Sequence, residues 1–196
     1  MNLLFRPGQF VLEGAVVAQV VPGERAAALA PAILRDVKIG AHRTLEQDVE
    51  FGIAQLVEIA LRALSQAIND TFTGLTCVDW LGDELRALAS LKEGIGVCEV
   101  ATGPARLMWP PLRIERLVKG AFDQIRQSAA GNPAVSIRLL QTFARLAEQV
   151  DHARFHDALS QQVEAVWEAA AAESFVKADR ADIEAGYRHA GEALGR

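Results

Sequence analysis

The chain has little cysteine, little positive charge and no long apolar run, and each shortage excludes a class of protein. Two cysteines, Cys77 and Cys98, are too few for a disulfide framework or a cysteine-rich zinc site, and we expect both to be small core residues. The longest apolar run, Ala26 to Leu34, contains Pro31, so no segment is predicted to span a membrane. The first residues, MNLLFRPGQ, lack the basic segment and apolar stretch of a signal peptide.

The charge balance is acidic. A net charge of −5 and a pI near 5.4 argue against a nucleic-acid binder whose affinity comes from neutralising phosphates. Apolar residues make up 51% of the 196 residues, which is enough for a core, and alanine and arginine, both strong helix formers, are frequent. We therefore predict a mainly α protein: a multi-helix domain (residues 24–196), with a small N-terminal β segment (residues 1–23) and one β-hairpin.

The N-terminal segment differs from the rest because Pro-Gly and single glycines separate short β-branched runs. We predict strands at Phe10-Val11 and within Val16–Val21. Their spacing resembles the half-barrel of lipoyl and biotinyl carrier domains, which attach their cofactor at a lysine in a tight hairpin. No lysine lies in this segment, so a carrier role is not expected and the likeness concerns architecture alone.

Helix signals dominate the remainder. Thr44 and Gln47 form a capping box, and the apolar period that follows predicts a helix that is central to its domain. Asp70 is predicted to cap the next helix, Thr71 to about Leu91, and Asn132, followed by a proline at the first helical position, is predicted to cap the helix that runs to about Gln149. The other predicted elements are a short helix over Glu24–Asp36, a hairpin at residues 97–109, and helices over Ile114–Ala130, Pro133 to about Gln149, Asp151–Phe175 and Asp179–Leu194.

One stretch resembles a known family. The run contains His42-Arg43-Thr44, Gln47-Asp48, Phe51-Gly52, Arg62-Ala63-Leu64-Ser65 and Ile68-Asn69-Asp70, and Gly131-Asn132-Pro133 fits its downstream part. These residues resemble the signature of bacterial predicted membrane proteins grouped as domain of unknown function 2254, from about Phe5 to Val150. The sequence departs from that pattern at Gln66 and Thr71. The resemblance implies several transmembrane helices upstream in full-length relatives and a soluble, cytoplasmic domain, but it implies no activity.

The polar turn after the first long helix is the densest candidate site. Its side chains are Arg62, Ser65, Asn69, Asp70 and Thr73. They could form an anion or carbohydrate pocket, or a hydrolytic site. They are also the usual residues of helix caps and turns, which is the interpretation we prefer, and Arg62 can pair with Glu58 one turn earlier. No histidine is close in sequence and no Gly-x-Ser-x-Gly elbow appears, so a serine hydrolase has weak support.

Charges on two helices form the second candidate. Asp48 and Arg62 share one helix stripe, and Asp123 and Arg126 lie three residues apart on another helix. If these helices face each other, the four charges could form a structural ion-pair network or bind a ligand. Arg43 and Gln47, in the family-like run beside Asp48, complete the candidate ligand-binding set.

No metal or cofactor is predicted. His152 and His156 have the i,i+4 spacing of two ligands on one helical face, but the glutamate of a zinc-protease motif is missing. An exposed polar helix start accounts for the pair more simply.

Two classes of function remain open. One is a soluble interaction or regulatory (ligand-sensing) module of a membrane-associated bacterial protein, and the other is an enzyme, possibly hydrolytic, that uses the turn Arg62–Thr73. We prefer the module because the sequence contains no legible pair of nucleophile and base. The N-terminal strands carry more apolar residues than two or three isolated strands can bury. If their partners lie upstream, an open sheet edge is left exposed, so we also predict a homo-oligomer, with no nucleic-acid partner.

Overall fold

The computed structural model describes residues 1–46, 48–90, 97–99 and 106–196. The chain forms two compact units. The first comprises Met1–Phe51 and Glu93–Leu112, and the second comprises Gly52–Lys92 and Arg113–Arg196. The first unit therefore extends beyond the β segment that the sequence predicted for residues 1–23, because the hairpin later in the chain joins it.

A four-stranded mixed sheet lies in the first unit. Its strands are β1 (Asn2–Leu3), β2 (Ala18–Gln19), β3 (Val97–Glu99) and β4 (Arg106–Met108), in the order β2-β1-β4-β3. Strand β1 is antiparallel to β2 and parallel to β4, while β3 and β4 form the predicted antiparallel hairpin. The N-terminal strands thus find a partner within the chain.

Two details of the sequence prediction for this unit are wrong. Phe10-Val11 is not a strand, because the chain after β1 turns at residues 7–8 and runs irregularly to β2. Cys98 is exposed on β3 and so is not a core residue, whereas Cys77 is buried, and burial raises the pKa of its thiol.

The short helix was predicted correctly: a 3₁₀ turn at Gly23–Arg25 leads into α1 (Ala26–Asp36), which contains Pro31.

The remaining helices form the hydrophobic core. They are α2 (Val49–Ala63), α3 (Thr71–Ser90), α4 (Ile114–Ser128), α5 (Pro133–Gln149), α6 (Ala153–Ala171) and α7 (Lys177–Ala193). Helix α5 packs against α3, α6 and α7, and α4 packs against α6. The fully buried rings of Phe122 and Phe143 meet edge to face, with centroids 4.9 Å apart, and Phe155 is buried as well. The mainly α class is confirmed.

Helix caps were predicted with mixed success. Asp70 and Asn132 cap α3 and α5 as expected: Thr73 N donates to Asp70 Oδ1 at 3.1 Å, and Ala134 N donates to Asn132 Oδ1 at 3.1 Å. The capping box at Thr44 is wrong, because α2 begins at Val49 and Phe51 N donates to Asp48 Oδ1 at 3.1 Å. Its other member, Gln47, lies outside the described residues.

Helices α3 and α5 approach closely at Gly82. A Cβ at Gly82 would lie 2.6 Å from Cγ2 of the buried Thr142. We expect Gly82→Ala to lower the free energy of unfolding by about 1–2 kcal/mol, because overpacking outweighs the better helix propensity of alanine. Thr142→Ser removes the obstructing methyl group and keeps the hydroxyl, so the double variant should recover most of the loss in urea unfolding. An unchanged Gly82→Ala variant, or no recovery, would contradict this packing.

Candidate functional site

The first unit contains an ion pair between Arg43 and Asp48 in which the carboxylate is buried. The Asp48 side chain is only 4% exposed and accepts two hydrogen bonds from Arg43, from Nε at 2.6 Å and from Nη2 at 2.9 Å. These bonds raise the pKa of the Arg43 guanidinium. The guanidinium also lies 5.2 Å from the centroid of the Phe51 ring. Asp48 therefore joins Arg43 to the start of α2.

The loop after β1 closes over this pair. Gly8 has a φ of +75°, and a Cβ there would lie 1.6 Å from Asp48 Oδ2, which Arg43 holds in place. Only glycine fits this position, because the positive φ disfavours any other residue and because a side chain would collide with the Asp48 carboxylate. A second ion pair joins Arg6 Nη2 to Glu50 Oε2 at 3.4 Å, with both side chains largely buried. These two ion pairs hold charged side chains in the interior of the first unit.

The polar turn between α2 and α3 forms local hydrogen bonds. Ser65 Oγ donates to the Arg62 carbonyl at 2.8 Å, and Asn69 has a φ of 51°, the left-handed conformation that asparagine tolerates in turns. The Thr73 hydroxyl donates to Asp70 Oδ2 at 2.6 Å, and this bond, with that of the Thr73 amide, lowers the pKa of the Asp70 carboxyl. Arg62 pairs with Glu58 at 2.8 Å, with both side chains exposed.

A third cluster joins α4 to α6. Asp123 Oδ1 accepts from Gln162 Nε2 at 2.7 Å and lies 3.5 Å from Arg126 Nη2. Gln162 is 3% exposed and was missed in the sequence, because a single glutamine within an apolar helix period gives no signal of its partner. Arg126 Nε and Gln162 Oε1 are buried and form no hydrogen bond among the described residues. Each buried polar atom without a hydrogen-bond partner lowers the stability of the fold by about 1–3 kcal/mol. This cluster therefore sets the orientation of α4 and α6 and at the same time reduces the stability of the fold.

The four charges that the sequence grouped together divide among three separate sets of contacts. Asp48 binds Arg43, Arg62 binds Glu58, and Asp123 binds Arg126 and Gln162. The predicted set thus divides into a buried pair, a turn and a helix–helix cluster.

An ion-pair cluster between α3 and α5 was not predicted. Asp79 accepts from two arginines of α5, through Oδ2 from Arg138 and through Oδ1 from Arg145 at 3.0 Å. Arg145 also donates to the buried Thr142 hydroxyl at 3.1 Å. Asp79 is 59 residues from Arg138 and 66 residues from Arg145 in the sequence, so no local pattern indicates these contacts. The spacing of Arg138 and Arg145, seven residues apart on one helix face, was the one signal present.

The histidine pair serves the start of α6. His152 Nδ1 accepts from Phe155 N at 3.2 Å, and His156 Nε2 lies 2.6 Å from the Val150 carbonyl. Both imidazoles therefore have partners on the backbone. Among the residues with described positions, no group of three or more histidine, cysteine, aspartate or glutamate side chains could hold a metal ion.

These features define a mainly helical protein with a small mixed sheet, whose polar clusters are ion pairs and helix caps. Residues 1–145 match the family described as predicted membrane protein (DUF2254), and the chain belongs to this family. Uncharacterized proteins of Mycobacterium bovis and Mycobacterium tuberculosis are 36% identical to it over 151 residues, which are 76% of this chain and 29% of each relative.

The chain thus spans less than a third of the length of the curated relatives it matches. No solved structure matches it. Within the described part of the chain, no helix has the length and apolar character needed to cross a membrane.

Proposed function

We propose that this chain is an interaction or regulatory, ligand-sensing module of a membrane-associated bacterial protein and acts by binding. The family description supports the membrane association. We further propose that transmembrane segments precede the module in the whole protein and that the module faces the cytoplasm. A reporter that fluoresces only in the cytoplasm, fused to the C-terminus of a full-length relative, tests the orientation: a dark fusion would contradict it.

The exposed apolar side chains of the first unit carry the proposal. Phe10, Leu12 and Val16 are 87%, 70% and 67% exposed, and all lie in the irregular segment between β1 and β2, residues 9–17, here termed the apolar loop. Surface loops are usually polar, and clustered exposed apolar residues mark binding surfaces. Burying a single phenylalanine side chain contributes roughly 1.5–3 kcal/mol, so a partner on this loop would gain appreciably. We propose a second copy of the chain as that partner.

Light scattering across a dilution series tests the self-association. We expect a mass above 21.2 kDa that falls on dilution, and a monomer mass for the double variant Phe10→Ser/Val16→Ser. Deleting the N-terminal residues is a poorer test, because it would remove β1 from the centre of the sheet.

Phe72→Ser is the matched control, since Phe72 is 84% exposed but lies on α3 in the second unit. It should leave the mass unchanged. A monomer mass for the unmodified chain at every concentration would refute the proposal, as would equal effects of the loop and control variants.

The hydrogen bonds of the turn Arg62–Thr73 do not favour hydrolysis. The Ser65 hydroxyl donates to a backbone carbonyl, and the Asp70 carboxylate accepts from the Thr73 hydroxyl and amide. A hydrolytic serine instead needs a base within hydrogen-bond reach of its oxygen. The enzyme alternative therefore gains no support from this turn.

A further inference from the structure

A groove between α3 and α5 combines a concave surface with arginines held in fixed positions. Its volume is about 180 Å³. Asp79, Asp83 and Arg86 of α3 line it from one side, and Thr142, Arg145 and Gln149 of α5 line it from the other. Gly82, where the two helices approach closely, also lines it. None of these residues belongs to the set predicted from the sequence.

The two arginines that line the groove are oriented by carboxylates. Arg86 donates to one oxygen of Asp83, from Nε at 3.1 Å and from Nη2 at 2.8 Å. Arg145 uses Nη2 for both Asp79 and Thr142. Among the contacts of the described residues, Arg86 Nη1 and Arg145 Nε and Nη1 have no acceptor. Some N–H groups of each guanidinium therefore orient it through hydrogen bonds, while its other N–H groups remain available to a ligand.

The local charge also favours an anion. Arg86 and Arg145 balance Asp79 and Asp83 within the lining, and Arg138, which is not part of the lining, adds one positive charge by binding the same Asp79. Both oxygens of Asp79 are already occupied by arginines. Guanidinium groups match carboxylate and phosphate oxygens in geometry and charge, and orientation before binding reduces the entropy cost.

We propose that this groove binds a small oxyanion, a carboxylate or phosphate group, between Arg86 and Arg145. The volume limits the ligand to a small molecule or to the terminal group of a larger one. The neighbouring aspartates and the exposure of the arginines make the binding weak and sensitive to ionic strength. The site is independent of the apolar loop, so either proposal can fail alone.

Titration of the ¹⁵N-labelled full chain with inorganic phosphate, and separately with acetate, tests the site by NMR. Ionic strength is held constant with sodium chloride. We expect saturable shifts of the Nε–H resonances of Arg86 and Arg145. Saturation by phosphate alone identifies a phosphate ligand, and saturation by both probes identifies oxyanions in general. The proposal is overturned if neither probe saturates.

Variants separate specific binding from general electrostatics. Arg86→Gln and Arg145→Gln should each weaken the affinity at least about tenfold, because each removes a charged donor group. Arg35→Gln is the matched control: Arg35 is also an exposed helical arginine paired with an acidic neighbour, Asp36, but it lies outside the groove. Circular dichroism checks that each variant keeps its helices. An equal loss for Arg35→Gln, or no loss for the two groove variants, would also overturn the site.

Discussion

Replacing Asp48 by alanine should lower the free energy of unfolding by about 2–3 kcal/mol, a large effect for one helix cap. The variant removes the acceptor of two hydrogen bonds from Arg43 and of one from the Phe51 amide, in a site where the carboxylate is 4% exposed. Arg43 is 37% exposed and can regain water, so the loss stays below that of a fully buried pair. Denaturant unfolding measures the total loss in the free energy of unfolding. Hydrogen exchange at the Phe51 amide shows whether that loss is centred on the start of α2.

Asp70 provides the control, because it caps α3 as Asp48 caps α2 but is exposed and has no arginine partner among its described contacts. Asp70→Ala should therefore cost clearly less than Asp48→Ala. Asp48→Asn should fall between the unmodified chain and Asp48→Ala, since it keeps an oxygen for the cap but loses the charge. Equal losses for Asp48→Ala and Asp70→Ala would show that the Arg43 pair adds nothing.

Replacing Phe143 by alanine should lower the free energy of unfolding by about 3–5 kcal/mol. Its ring is fully buried on α5 and meets the Phe122 ring edge to face. The variant loses apolar burial, the aromatic contact and the packing of the helix that contacts α3, α6 and α7. Since small domains are stable by only about 5–15 kcal/mol, the urea midpoint should fall markedly in unfolding followed by circular dichroism.

The same substitution at Phe72 isolates the effect of burial. Phe72 is 84% exposed on α3, so Phe72→Ala should change stability by less than about 0.5 kcal/mol. A small loss for Phe143→Ala, near that of the control, would mean that α5 does not lie at the centre of the core.

Sequence patterns predicted most helices of this protein because their determinants are local. The Asn132-Pro133 start of α5 and the Asp70 cap of α3 involve residues within three positions of each other. The hairpin at β3 and β4 likewise joins neighbouring segments. Local rules failed at α2, where the sequence predicted a cap at Thr44. Asp48 caps the helix in the structure, where the guanidinium of Arg43 and the loop at Gly8 hold its carboxylate.

The sequence alone therefore determined the helical class, the resemblance to the family and the helix caps at Asp70 and Asn132. The tertiary structure decided which charges meet: Asp79 with Arg138 and Arg145, and Asp123 with Gln162. It also paired β1 with β4, more than a hundred residues apart in the chain. The physical reason is that caps and helix periods depend on neighbours within about one turn, whereas ion pairs and sheet partners depend on how whole elements pack.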